Sequence, residues 1–272
     1  MRGTQGERLS PLTALNLLCL DAPLVAIAWQ QVFARTQHLH LLVAPRIALF
    51  ATAWLIYLAD RVGDSFTTAA GMQRSKRQRF AQSRRSVLLV SIGIAALADL
   101  IAIAQVDRAT AMAGAVVGAG SVVYLTLNHF FSRIWSVIPV KEIAVGALFA
   151  AGVAASLGIT GVPIVPFVLF AALCVLNCIS IAFWERQLDT EQERISIATR
   201  FPPLRALPSI GSIVLALISV SCIARAPHIL VAIAISSALL VLLSVLRIQS
   251  DSRTALADLV LLTPLFVLPF AS

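Results

Sequence analysis

The chain has 272 residues, 59% hydrophobic and only 12% charged, with a formal charge of +8. Soluble globular domains carry about 25% charged residues, so a water-facing surface is excluded and a polytopic helical membrane protein is implied. The apolar runs are continuous, which excludes a transmembrane β-barrel with its alternating ~10-residue strands. Lys- and Arg-rich cytosolic loops account for the positive charge without a nucleic-acid partner.

Runs long enough to span a bilayer, ~20 residues each, fall at 12–34, 41–59, 86–105, 109–131, 135–157, 162–184, 207–224, 228–246 and 254–271, predicting nine transmembrane helices in one integral-membrane domain over residues 1–272. Arg2 and Arg8 precede the first run, and Ala26-Ile27-Ala28 mimics a signal-peptidase site, but Asp21 and Pro23 inside the run argue against cleavage. Asp21 is an ionisable group in the cytosolic half of span 1, hence a functional candidate that would join an acidic, substrate-binding cavity. Span 2 ends in Asp60-Arg61-Val62-Gly63-Asp64. The basic stretch 74–85, RSKRQRFAQSRR, predicts a short helix on the membrane surface, either held by anionic headgroups or closing over a phosphate.

Asp99 lies near the far end of span 3 and reads as interfacial, while Asn128 and Asn177 read as interhelical hydrogen-bond formers. Lys141 and Glu142 open span 5, as an interfacial ion pair or with Lys141 reaching a phosphate. From Ile143 to Trp184 the chain is uncharged but too long for one span, and Gly158, Gly161 and Pro163 break it. Cys174 and Cys178 are one turn apart without metal-ligand company; with Cys19 and Cys222 they read as small buried hydrophobes. Span 6 ends in Glu185-Arg186-Gln187-Leu188-Asp189, and Glu193 follows four residues later. Phe201-Pro202-Pro203 ends any helix begun after that. Asp258 opens span 9 and reads as its cap.

If the N-terminus is cytosolic, all of the 21 Lys and Arg except Arg35, Arg46, Arg108 and Arg225 fall on the cytosolic side. That bias orients the chain in a plasma membrane, expected to be a bacterial inner membrane. Both acidic motifs then end spans at the cytosolic face, four spans apart, as in pseudo-repeated halves. On a helix, carboxylates four apart share a face, and bare like charges there are destabilising. A cation is therefore expected between them, and Mg²⁺ suits the arrangement because it takes one or two carboxylates and completes its shell with water and phosphate oxygens. Asp60, Asp64, Glu185, Asp189 and Glu193 are the candidate metal ligands; the first four are also the candidate catalytic set. Lys and Arg beside them would hold a diphosphate while the lipid tail lies between helices. When the allylic C–O bond breaks, an apolar chamber shields the resulting carbocation until an acceptor captures it.

At these residues the chain resembles the UbiA superfamily of intramembrane prenyltransferases, which has nine transmembrane helices and two Asp-rich motifs ending helices 2 and 6. The family's first motif, N-D-x-x-D-x-x-x-D, is similar to residues 56–64, with Asp60, Arg61 and Asp64 matching and Ile56 and Tyr57 replacing its Asn and first Asp. Its D-x-x-x-D motif resembles Glu185, Asp189 and Glu193. Lys141 and Gly146 resemble the family's basic residue and glycine near the start of helix 5. The resemblance implies an all-α, UbiA-like bundle with Mg²⁺ as cofactor. It further implies a prenyl diphosphate donor, an aromatic or lipidic acceptor, and Arg61, Lys141, Arg186 and Asp21 as substrate-binding residues. A non-catalytic isoprenoid-lipid-binding relative and a small transporter are the competing readings. A CDP-alcohol phosphotransferase would need a D-G-x-x-A-R element, and a haem bundle paired histidines within spans; neither is present.

Overall fold

A computed structural model describes residues 11–67, 74–131, 133–137, 141–158 and 162–270, and among them every regular element is helical. In chain order these are α1 (Pro11–Leu17), α2 (Asp21–Thr36), α3 (Val43–Thr67), α4 (Lys76–Ser83), α5 (Arg85–Ile103), α6 (Arg108–Phe130), α7 (Ile134–Val137), α8 (Lys141–Ala155), α9 (Ile164–Trp184), α10 (Arg186–Glu191), α11 (Ile197–Arg200), α12 (Leu207–Ser221), α13 (Pro227–Val245), α14 (Ser250–Val260) and α15 (Pro264–Val267). Each predicted span contains a helix. Seven are long and apolar enough to cross a membrane: Val43–Phe66, Arg85–Ile103, Arg108–Phe130, Ile164–Trp184, Pro202–Ser221, Pro227–Val245 and Ser250–Phe270. The other two are shorter among the described residues, α2 with 16 and α8 with 15.

The first span is shortened by its own polar residues. Cys19 has φ 56°, a left-handed residue that ends α1. Asp21 then opens α2, accepting from Asn16 Nδ2 (2.6 Å) and the Ala22 amide (3.0 Å). A carboxylate in a first turn answers both the unpaired amides there and the helix dipole. The predicted surface helix is α4, set by a capping box in which Ser75 and Gln78 satisfy each other's amides. Gly158 at the predicted break has φ +74°, while residues 159–161 lie outside the described residues. α11 stops at Arg200, ahead of the predicted Pro202 break.

Packing is tightest for α3 on α5, α8 on α9 and α12 on α13. The core runs through α2, α9 and α13, where Trp29 stacks on Phe170 with centroids 4.4 Å apart and donates Nε1–H to the Leu261 carbonyl at 2.8 Å. A buried indole needs such a partner. α5 and α6 are inverted relative to a soluble protein. Leu89, Val90, Leu97 and Leu100 of α5 and Val116 and Val122 of α6 are exposed, and α6 buries only Ser121 among its side chains. Apolar surface on this scale has lipid as its solvent. The molecule is an integral membrane protein.

Candidate functional site

α3 carries Asp60 and Asp64 on successive turns at its C-terminal end, where the C-terminal end of α6 meets them. Gly63 makes the close approach: a Cβ there would lie 2.7 Å from the His129 ring. His129 Nε2 consequently reaches Asp60 Oδ1 at 3.1 Å, and Asn128 Nδ2 donates to the same oxygen at 3.5 Å. Asp64 receives both Arg194 guanidinium nitrogens, Nη2 at 3.1 Å and Nη1 at 3.2 Å. One ligand atom each from Asp60, Asp64 and His129 lies within 4.8 Å of the others, near enough to share a cation.

These groups line a polar cavity of about 320 Å³, together with Tyr124, Trp135, Lys141, Gln192 and Glu193. Tyr124 is also a wall of the next space inward, about 90 Å³ and apolar, bounded by Ile56, Tyr57, Val145 and Phe149. Leu49, Thr52, Val117 and Gly152 join that space to a third, of about 250 Å³, towards the N-terminal end of α3. A polar mouth and an apolar passage thus follow one another along α3, sharing wall residues. Ile56 and Tyr57, where the resembled motif has Asn and Asp, are part of the passage wall rather than the mouth.

The second acidic motif does not stay on one helical face. α9 stops at Trp184, α10 carries Asp189, and Glu193 is left-handed with φ 53°. The turn is a Schellman motif: Arg194 N–H donates to Asp189 C=O (2.8 Å) and Glu193 N–H to Thr190 C=O (3.2 Å). Glycine is the usual residue at that position. Here a glutamate occupies it, and the turn delivers Glu193 and Arg194 into the mouth. A non-glycine residue held there costs of order 1–2 kcal/mol, strain of the kind that concentrates at functional sites.

Of the predicted residues, the structure brings Asp60, Asp64, Lys141 and Glu193 to one cavity. Glu185 is elsewhere: it is ion-paired with Arg77 of α4 and accepts from Thr254 Oγ1 at 3.1 Å. The break at the end of α9 and the charge of Arg77 turn it that way. Asp189 is half-buried and is not among the residues lining the cavity; burial outweighs Lys141 and pushes its carboxyl up to about 6. Asp21 is used at the head of α2, Arg61 contacts Cys19, and Arg186 is exposed at the start of α10. None of these five lines the mouth.

Three outcomes differ from the sequence reading. Asp258 is no helix cap, because α14 begins earlier, at Ser250; its carboxylate instead accepts from Asn177 Nδ2 at 3.2 Å, the interhelical bond expected of Asn177. Glu142 does not simply pair with Lys141: it is buried and accepts the Ile197 amide at 3.2 Å. Asp99, expected at the interface, accepts from Thr52 Oγ1 at 2.8 Å and lines the far chamber. His129 and Arg194 were missed as site residues. No local pattern marks them, since their partners are 69 and 130 positions away.

α4 crosses one end of the bundle, where Phe80 and Ala81 pack on Leu58 and Leu88 and two side-chain tethers reach from α4 to the α9–α11 segment. One is the Arg77–Glu185 ion pair. The other is a reciprocal pair of amides: Gln78 Nε2 donates to Gln192 Oε1 at 3.1 Å, and Gln192 Nε2 returns a bond to Gln78 Oε1 at 2.9 Å. The predicted basic helix thus spends Arg77 on a carboxylate.

No family model matches the chain, and no curated protein matches it. Among solved structures it matches the apo structure of a UbiA homolog from Aeropyrum pernix K1, with a TM-score of 0.64 and 11% identity over 91% of this chain and 98% of the other. At that identity the likeness is one of fold, and it is the fold the two acidic motifs implied.

Proposed function

We propose, from the fold shared with a UbiA homolog, that this chain binds an isoprenoid diphosphate and transfers its prenyl group, with Mg²⁺, to an acceptor within the membrane. The observation that carries this reading is the order of the spaces: a charged mouth, then an apolar space that shares Tyr124 as a wall, then a third space further along α3. A diphosphate head with a hydrocarbon tail has that polarity and shape.

The residues at the mouth fit a divalent cation. Asp60 and Asp64 are one turn apart, with donor atoms close enough to share it, and Glu193 offers further oxygens on the same cavity. In the structure Asp60 meets His129 and Asp64 is ion-paired with Arg194. A cation taking over Asp64 would free Arg194 to join Lys141 on the phosphates, where guanidinium pairs well. When bound, Mg²⁺ offsets the diphosphate's charge and stabilises it as a leaving group. Phe149, Val145 and Ile56 exclude water where the cation would form. Glu185 and Asp189 support from behind, Glu185 by holding α4 and Asp189 by its charge near Lys141. On this reading the mouth faces the cytosol of a bacterial inner membrane and the C-terminus faces away. A reporter fused after Ser272 that worked only in the cytosol would overturn that orientation.

The replacement of two polar motif positions by Ile56 and Tyr57 favours a second reading, a membrane protein that binds isoprenoid lipid without turnover. Incubating purified protein with farnesyl diphosphate, with and without Mg²⁺, separates the two. Mg²⁺-dependent release of diphosphate, lost in Asp60→Asn, supports transfer. Saturable binding without release, in the presence of candidate acceptors, supports the second reading, and no binding in either condition removes both.

A further inference from the structure

A side cleft leaves the apolar passage at Tyr57 and ends on polar groups that the donor does not need. It is a narrow space of about 20 Å³ beside Val145 and Phe149, closed by Asn177 and Cys178 of α9 and Asp258 of α14. A space of that size holds a single water-sized group. Asn177 is 4% exposed, and its Oδ1 has no hydrogen-bond partner. Its Nδ2 is committed to Asp258 Oδ1 (3.2 Å), and Asp258, which lines the cleft, has a second carboxylate oxygen, Oδ2. Neither that oxygen nor the Tyr57 hydroxyl is engaged by another described residue. An unpartnered amide oxygen, a carboxylate and a phenol are thus gathered around one small space in an otherwise apolar wall. A buried amide oxygen left unpaired costs about 1–3 kcal/mol, and a guest bearing a hydroxyl would recover it.

We infer that this cleft is the acceptor subsite and that it selects a neutral, hydroxyl-bearing acceptor over an anionic one. The inference rests on the donor reading above. No Lys or Arg lines the cleft among the described residues; Arg61 and Arg77 act on Asp258 only from beyond its walls, and Asp21 adds a second negative charge nearby. An acceptor carboxylate would meet Asp258 with no counter-ion, whereas a hydroxyl would donate to Asp258 or to Asn177 Oδ1. Tyr57, Val145 and Phe149 also line the neighbouring apolar space of about 90 Å³, where the body of the acceptor would lie with its hydroxyl in the cleft. The chemistry then balances. The donor's allylic C–O bond breaks with its electron pair leaving on diphosphate. A nucleophilic carbon or oxygen of the acceptor forms the new bond to the prenyl carbon, and the proton the acceptor loses passes to the free oxygen of Asp258.

The test uses two small probes that differ in charge, hydroquinone and 2,5-dihydroxybenzoate, titrated calorimetrically into the full-length purified protein. Hydroquinone should bind saturably and 2,5-dihydroxybenzoate at least ten-fold more weakly. Asn177→Leu and Tyr57→Phe should each weaken hydroquinone roughly ten-fold, the loss of one hydrogen bond, and Asp258→Asn should narrow the gap between the probes. Tyr57→Phe removes one oxygen atom only, so the test survives if Asn177→Leu fails to fold. Equal binding of both probes to wild type, or hydroquinone binding untouched by both variants, overturns the subsite. Inorganic diphosphate with Mg²⁺ is titrated in parallel. Its loss in Asp60→Asn but not in Tyr57→Phe separates donor from acceptor sites. Failure of diphosphate to bind wild type would sink the donor reading, while the probe results still decide the cleft.

Discussion

Gly146 is the narrowest point between α8 and α9, and adding one methyl group there is a severe perturbation. A Cβ would lie 2.6 Å from the Val175 nitrogen, 2.7 Å from its Cα and 2.8 Å from the Cys174 carbonyl carbon. All three are backbone atoms of α9, so no side chain can swing aside. Non-bonded carbon contacts are comfortable at about 3.5–4.0 Å, so Gly146→Ala must push the helices about 1 Å apart. Overpacking of this kind costs about 1–3 kcal/mol. Alanine also returns roughly 0.5–1 kcal/mol relative to glycine inside a helix, leaving a net loss of about 0.5–2 kcal/mol. Gly93→Ala is the control, because Gly93 lies within α5 with nothing within 4 Å of its added Cβ, and it should show only the gain. Thermal unfolding of the detergent-solubilised protein, followed by tryptophan fluorescence, should therefore rank Gly93→Ala above wild type and Gly146→Ala below it. Because α8 carries Lys141, Val145 and Phe149, the same variant should loosen the mouth and its chamber. Equal melting temperatures for the two variants would refute the close α8–α9 contact and the cavity walls built on it.

Lys141→Ala should weaken binding of inorganic diphosphate with Mg²⁺ about ten-fold or more, and Lys141→Arg should restore part of it; unchanged affinity in the alanine variant would return Lys141 to an interfacial role. Glu193→Gly should raise thermal stability by up to about 1–2 kcal/mol by removing a left-handed glutamate while lowering Mg²⁺ affinity, and a less stable variant would mean that its carboxylate holds the turn together. Asp189 carries a pH signature: burial raises its carboxyl from 3.8 to about 6, so its contribution to stability is complete below about pH 4 and is lost as pH rises through 6. In metal-free buffer, Asp189→Asn should flatten the fall in melting temperature between pH 4 and 6.5; an unaltered slope would place the titration elsewhere.

The meeting of Asp60, Asp64, Lys141 and Glu193 at one cavity was legible because composition, period and charge bias put each at the same, Lys- and Arg-rich end of an apolar run. Depth is enough to bring helix ends together when every helix crosses the same slab. What depth does not encode is azimuth. Glu185 has the right depth but follows the last turn of α9, where the chain bends and Arg77 competes for it. His129 has the right depth too, yet a lone histidine near a helix end carries no sign of the aspartate it will face. Asp258 was misread because α14 starts at Ser250, which moves the residue from a helix start to its interior and onto Asn177. The short first span has the same kind of cause: Asp21 opens α2 in the structure, whereas hydropathy carried that run further back.

The two tethers on α4 belong to different physical regimes. Arg77 and Glu185 are each 19% exposed, so added salt screens their attraction. Gln78 and Gln192 are neutral, buried and doubly bonded to each other, so neither ionic strength nor pH touches them. Docking of α4 over the bundle therefore has a tunable component beside a constant one, like a dial mounted on a fixed spindle. Gln78→Glu would turn the spindle into a second dial, making the position of α4 answer to pH through a single added carboxylate.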